Sequence, residues 1–314
     1  MTYLTNFLKV IIVILILLVA LLAGYLFTVK ISMPETMEFQ TARPSQSTWE
    51  SIFASPVDLE LKTLHAGDIL IDRNQLLQEG PEQWQDRYKS LPVLSHWISH
   101  PTQGEYLFDS AFSEQFTNKN TGNYGVLMSF ISNISGIKNT LSTPLAGQLP
   151  AGNKSIKGVF LTHFHPDHSS GLDDLPINIP IIANLAEYDL FAGLANGGLF
   201  NRRPNWSHID FSKAKSIPPF DSVIDIFGDS SVFAISTPGH TNGHTSYLLN
   251  GTQGAVLIVG DASHFSFGFK NNLAPAAQGK KNAELAVRSL QQLRVFKDEY
   301  PDVKYMLGHD LKRL

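Results

Sequence analysis

The apolar run Gly158-Val159-Phe160-Leu161 leads straight into Thr162-His163-Phe164-His165-Pro166-Asp167-His168, and no other stretch constrains the chain as much. A short apolar run predicts a buried strand. Along an extended segment side chains at i and i+2 share a face, so His163 and His165 can reach one cation together. Pro166 turns the chain, and Asp167 and His168 are then presented to a second position nearby. Three further groups of ligand type each follow an apolar run, where a loop carries function on a rigid scaffold. They are His240 in Thr237-Pro238-Gly239-His240, Asp261 in Gly260-Asp261-Ala262-Ser263, and His309 in Gly308-His309-Asp310. The set divides into His163, His165 and His240 for one metal and Asp167, His168 and His309 for another, with Asp261 bridging. Two divalent cations, offset by two carboxylates and a bridging hydroxide, leave about one positive charge to polarise a substrate oxygen. The chain has no cysteine, so thiolate sites and cysteine nucleophiles are excluded. Imidazole with carboxylate suits two Zn²⁺ per chain, and Fe, Mn or Co accept the same ligand types.

The rest of the chain alternates short apolar runs with helical stretches and shows no fixed-period repeat. Val57–Lys62 alternates as a half-buried strand should. Trp97–His100 and Glu105–Phe108 flank Pro101-Thr102-Gln103-Gly104, which has hairpin turn chemistry. Further strands are predicted at Gly158–Thr162, Ile179–Ala183, Ser231–Ser236, Thr245–Leu249, Ala255–Val259 and Val303–Leu307. A helix is predicted over Asn282–Tyr300, with Ala286, Leu290, Leu293 and Phe296 at helical spacing and Pro301 as its stop. Mixed sheets with helices fit this pattern, an α/β or α+β sandwich. No G-x-G-x-x-G follows a strand and no P-loop motif is present, so dinucleotide and P-loop chemistry have no support. The Gly- and Pro-rich segment Phe191–Ile224 reads as a substrate-facing loop; Arg202 or Arg203 could there hold a carboxylate or phosphate, although two adjacent Arg on a loop are more often solvated.

At the N-terminus, Val10 to Val29 are twenty uncharged residues, about 30 Å of helix and so about a bilayer's hydrocarbon thickness. The run is longer than a signal peptide's apolar region, and bulky residues follow it. Residues 1–30 therefore read as an uncleaved single-pass membrane anchor, 31–50 as a linker and 51–314 as the catalytic domain, exported to a periplasmic or extracellular side. Lys9 and Lys30 are the only charges in the first thirty residues, so the remainder carries 22 of the 24 basic residues and all 28 acidic ones. That acidity argues against a nucleic-acid partner.

The pattern His163-x-His165-x-Asp167-His168, then His240, Asp261 and His309, resembles the metallo-β-lactamase superfamily with both metal sites complete. The resemblance implies an α+β fold, a four-layer αββα sandwich over about residues 50–314 with the metals at one edge. Ile181–Tyr188, Thr237–His244, Asp261-Ala262-Ser263 and the closing Gly308-His309-Asp310 are most similar to the N-acyl-homoserine lactone lactonases. Spacings of 72, 21 and 48 residues from His168 to His240, Asp261 and His309 in turn are also similar to that branch. Lactonases of this kind place a Tyr three residues after the bridging Asp, and here that position is His264, which can also donate to a developing oxyanion. Where they have Asp-Thr-Gly, this chain has Asp109-Ser110-Ala111, with Asp109 expected either to orient a ligand or a loop or to cap a turn. His244 is expected to be structural, and His65, His96, His100 and His208 to be ordinary residues.

The resulting expectation is a membrane-anchored binuclear hydrolase. A bridging hydroxide would attack a lactone or ester carbonyl, His264 would stabilise the oxyanion, and Asp167 would pass a proton to the leaving oxygen. The same metal set serves β-lactam, thioester and phosphodiester hydrolysis, so it does not choose among them. A diiron redox protein and a non-catalytic binding protein are the readings from other classes.

Overall fold

Short apolar runs become the strands of two sheets. The computed structural model describes residues 2–28, 33–81, 88–114, 138–277 and 279–314. In chain order its elements are α1 (Thr2–Thr28), β1 (Thr36–Glu38), α2 (Trp49–Phe53), β2 (Glu60–Asp72), β3 (Tyr88–His100), β4 (Gly104–Phe108), β5 (Lys138–Leu141) and β6 (Ile156–Phe160). There follow α3 (Pro166–Ser169), β7 (Ile181–Asn184), α4 (Leu190–Arg202), β8 (Trp206–Ile209), β9 (Lys215–Ile217), β10 (Phe220–Asp225), β11 (Val232–Ser236) and β12 (Thr245–Gly251). The last are β13 (Gly254–Gly260), α5 (Ser266–Lys270), α6 (Gly279–Glu299) and β14 (Lys304–Leu307). An eight-stranded sheet runs β1-β8-β7-β6-β4-β3-β2-β5, and a six-stranded sheet runs β14-β13-β12-β11-β10-β9.

Period-two alternation sorts the strand residues into layers. Val232 and Ala234 of β11 join Tyr247 and Ile258 against Ile98, Phe108, Phe160 and Ile182, which is the core between the sheets. Their neighbours Phe233 and Ile235 point the other way, onto Ala286, Leu290, Leu293 and Phe296 of α6 and Trp49 of α2. The outer face of the eight-stranded sheet, including Val93, Leu107, Val159 and Ile181, is covered by Leu172 and by Leu199 and Phe200 of α4. Helix, sheet, sheet, helix is the four-layer α+β sandwich that the resemblance implies.

The predicted hairpin forms: β3 and β4 pair antiparallel, with His100 opposite Gly104. The strand expected from Val57 starts only at Glu60. Within the stretch expected to be a linker, Thr36–Glu38 pairs in parallel with β8 and adds a strand to the sheet.

The N-terminal expectation needs correction. The apolar run does form α1, but among the described residues no helix is long and apolar enough to cross a membrane.

Pairing direction gathers the loops that matter. Strands β4, β6 and β7 run parallel, as do β13 and β14, while β11 and β13 are each antiparallel to β12. Within each sheet the C-terminal ends of these strands therefore fall on one edge. From them emerge Asp109, His163, Glu187, His240, Asp261 and His309.

Candidate metal centre

The structure brings the seven expected ligands into two groups that share one carboxylate. His163, His165, His240 and Asp261 form one group, and Asp167, His168, Asp261 and His309 the other; within each, the ligand atoms lie within 4.8 Å of one another. Asp261 is the hub. Its Oδ2 is 3.4 Å from Nε2 of His168 and of His240 and 3.8 Å from that of His163, and its Oδ1 is 3.4 Å from His309 Nε2. Asp167 Oδ2 is 3.4 Å from His309 Nε2 and 3.7 Å from His168 Nε2.

Hydrogen bonds on the far side of four of the rings fix which nitrogen faces inward. His240 Nδ1–H donates to Ala276 O at 3.1 Å and His309 Nδ1–H to Pro92 O at 2.9 Å. Carbonyl oxygens can only accept, so both Nε2 atoms carry lone pairs. His168 Nδ1–H donates to Asp109 Oδ2 at 2.8 Å. Thr162 Oγ1 donates to Asp109 and accepts from His163 Nδ1–H at 2.9 Å. Lone pairs of four imidazoles thus converge on a carboxylate. His163 Nε2, His168 Nε2 and Asp261 Oδ1 are buried without a hydrogen-bond partner, an arrangement that costs free energy until a cation enters. The donor set therefore fits two divalent cations.

The electrostatics agree. Burial pushes His163 and His240 well below the usual imidazole range, helped by neighbouring imidazoles. Burial also opposes charge on His168, yet Asp261, Asp109 and Asp167 around it raise its pKa well above that range.

Local backbone explains how the ligands are held. Asp109 sits at φ 59°, a left-handed conformation that Asp tolerates better than most residues. Its Oδ1 also accepts from Thr162 N–H at 2.7 Å, so this one carboxylate orients a ring of each group. Gly239, at φ 138°, lies so close to α6 that a Cβ there would strike the backbone of Ala286, which seats the His240 loop on the helix. At Gly308 a Cβ would collide with Asp261 Oδ1. Gly308→Ala is therefore expected to fold but to lose bound metal, measured as metal per chain after gel filtration; full retention would contradict that placement of Asp261.

His264 lies beside both groups, with Nε2 3.4 Å from Asp261 Oδ2 and its ring stacked 5.9 Å from that of His309. Burial lowers its pKa to about 4, so it is neutral at pH 7, and its Nδ1 is buried without a partner. His244 accepts Asp261 N–H at Nε2, 3.0 Å away, and so fixes the backbone of the hub. His65, His96, His100 and His208 join neither group. Ser231, His100 and Asp229 superficially suggest a triad, but Ser231 and Asp229 share His100 Nε2, while Nδ1 accepts from the N–H groups of Thr102 and Gln103. That ring is a fixed donor, not a base.

The segment expected as a substrate loop is instead led by helix α4, capped by Asp189, which accepts from Ala192 N–H at 2.8 Å. Its arginines are no anion site. Arg202 pairs with Asp173 at 3.2 Å, and buried Arg203 donates to the carbonyls of Leu172, Leu175 and Pro176.

Sequence reasoning missed Glu187. Its buried carboxylate accepts from Phe164 N–H at 3.1 Å, Gly243 N–H at 2.8 Å and Thr241 Oγ1, tying the His163–His165 loop to the His240 loop. Burial raises its pKa from 4.5 to about 7 despite these donors. The folded chain keeps this proton up to about pH 7, whereas the unfolded chain releases it near 4.5, so stability is lost as pH rises through that window. Glu187→Gln is expected to flatten this fall, read from thermal midpoints between pH 4.5 and 7.5; an unchanged slope would contradict it.

Residues 134–309, more than half of the chain, match the family described as the metallo-beta-lactamase superfamily. The chain belongs to the metallo-β-lactamase superfamily. Within it, the N-acyl homoserine lactonase AttM of Agrobacterium fabrum is 28% identical over 167 residues, 49% of this chain and 58% of that protein. An N-acyl homoserine lactonase of a Bacillus species is 31% identical over 161 residues, 49% and 56% of the two chains. A hydroxyacylglutathione hydrolase of Bartonella henselae is 30% identical over 150 residues, 46% and 50%. The chain thus spans little more than half the length of these curated relatives. Among solved structures, a variant of Bacillus thuringiensis AiiA with N-decanoyl-L-homoserine at its active site superposes with TM-score 0.62 at 21% identity, covering 82% of this chain and 94% of that one. An N-acyl homoserine lactone hydrolase with N-hexanoyl-L-homoserine at its catalytic metal centre gives 0.61 at 22%, with the same coverage. At such identities these two likenesses establish the metallo-β-lactamase fold.

Proposed function

We propose that this chain is a metal-dependent hydrolase that opens a lactone or closely related ester. The observation that carries the proposal is the convergence of inward-facing imidazole nitrogens on Asp261, in a chain whose relatives include N-acyl homoserine lactonases. His163, His165, His240 and Asp261 would hold one cation and Asp167, His168, His309 and Asp261 the other, zinc being the metal best suited to these ligands. When bound, the pair supplies Lewis acidity toward the carbonyl and brings water within reach of ionisation at neutral pH.

The chain's own groups do the rest. Asp109, Thr162, Ala276 O and Pro92 O hold the rings in the tautomer that leaves a lone pair inward. His264, kept neutral by burial, carries one N–H to donate to the oxygen that gains charge as the carbonyl is attacked. Asp167 takes the proton released by the attacking water and gives it to the ring oxygen as the C–O bond breaks, so the product leaves as hydroxy acid. Its side chain is 14% exposed, more open than Asp261 at 3%, which suits a group that exchanges protons with substrate. Zinc-loaded protein offered a lactone, a β-lactam, a thioester and a phosphodiester is expected to turn over the lactone fastest. Preference for any of the other three would overturn the lactone assignment.

A further inference from the structure

Two separate loops supply the imidazoles of the first ligand group. One follows β6 and carries His163 and His165, the other follows β11 and carries His240, and they meet where His165 Nδ1 stands 2.9 Å from His240 Nε2. Buried Glu187 joins them from outside the centre. One of its carboxylate oxygens accepts from Phe164 N–H, the amide between the two ligand residues of the first loop, and the other accepts from Gly243 N–H and Thr241 Oγ1 of the second. Its own backbone is fixed on both sides. The one-turn helix Leu185–Glu187 is capped by Asn184, which accepts from Ala186 N–H at 2.9 Å, and the next residue, Tyr188, donates its hydroxyl to Ser207 O at 2.8 Å. A Cβ on Gly243 would strike Glu187 N, so the second loop rests directly on this turn. The imidazoles of the second group are held elsewhere, His168 by Asp109 and His309 by Pro92 O.

We infer that Glu187 is a positioning residue for one of the two cations: by fixing how far apart the two loops stand, it sets how tightly His163, His165 and His240 hold their ion and leaves the other site's affinity unchanged. Ligands carried on separate loops must be ordered when a metal binds, and an anchor that orders them beforehand raises affinity. This rests on the reading of the centre as a holder of two cations and is independent of which bond is hydrolysed. A residue that only stabilised the fold would weaken both sites together.

Glu187→Gln tests the inference. Its amide oxygen can keep Gly243 N–H and Thr241, but its N–H₂ then meets Phe164 N–H donor to donor. Zinc is added in steps to chelator-stripped protein at about pH 8, above the raised pKa of about 7, and uptake is followed by calorimetry with bound metal counted. The wild type is expected to take two ions, and the variant to bind one of them about 10–100-fold more weakly and the other within about threefold of wild type. Adding His309→Ala to Glu187→Gln should then release the tight ion, while adding His165→Ala should spare it. Thr241→Val removes a single donor; it should weaken the same ion to a smaller degree, and it carries the test where Glu187→Gln fails to fold. Unchanged affinities, or equal weakening of both ions in a variant whose thermal midpoint shows it folded, would overturn the inference alone, as would a tight ion lost with His165 and kept without His309. A wild type that takes up no zinc removes the metal-dependent reading and the inference with it.

Discussion

Asp261→Asn is expected to empty both metal sites at once and to lower kcat/KM by roughly three orders of magnitude or more, since several kcal/mol of charge stabilisation go with the ions. The reason is geometric. Nε2 of His168 and His240 face Oδ2 and that of His309 faces Oδ1, so one side chain serves both groups. An amide removes the negative charge and turns an N–H₂ toward some of those inward lone pairs. Metal per chain and steady-state rates on the same preparation check this. A variant that keeps two ions, or that loses them without losing activity, would show that Asp261 is not the bridge.

Asp109→Asn is expected to act unequally on the two sites. The amide can still accept from Thr162 N–H through one oxygen, but its N–H₂ then meets His168 Nδ1–H donor to donor. The ring escapes by moving its proton to Nε2, which blocks the lone pair meant for the metal. Loss of such a supporting partner typically costs about 10–100-fold in metal affinity. The variant should therefore retain one ion per chain under a chelator concentration at which the wild type keeps two. Equal loss from both sites would place the role of Asp109 in folding, not in orienting His168.

Much of this candidate centre is legible in the sequence because its His and Asp residues are bunched, at His163–His168, or stand directly after apolar strands, at His240, Asp261 and His309. Strand direction then does the gathering. The resemblance drawn from those residues matches the family to which the chain belongs and the four-layer fold. Helix α6 is legible from its buried spacing, although it begins at Gly279, ahead of Asn282. Other features could not be read that way. Glu187 looks like a surface residue at a strand end, and its role exists only once β7 is packed against the ligand loops. Helix α4 contains Gly193, Gly197 and Gly198, poor helix formers; its cap at Asp189 and the burial of Ala192, Ala195, Leu199 and Phe200 override that local preference. Arg203 reads as a solvated side chain or an anion binder until the carbonyls around it are known. For the N-terminal run, local composition predicts the helix α1, but among the described residues no helix is long and apolar enough to cross a membrane.

The most direct test of a metal-dependent hydrolase is a titration. Protein stripped by exhaustive chelation is given zinc in steps, and hydrolysis of N-hexanoyl-homoserine lactone is followed together with bound metal. Activity absent in the stripped protein and rising to a plateau at two ions per chain is the expected result. Undiminished hydrolysis by protein shown to contain no metal would contradict it.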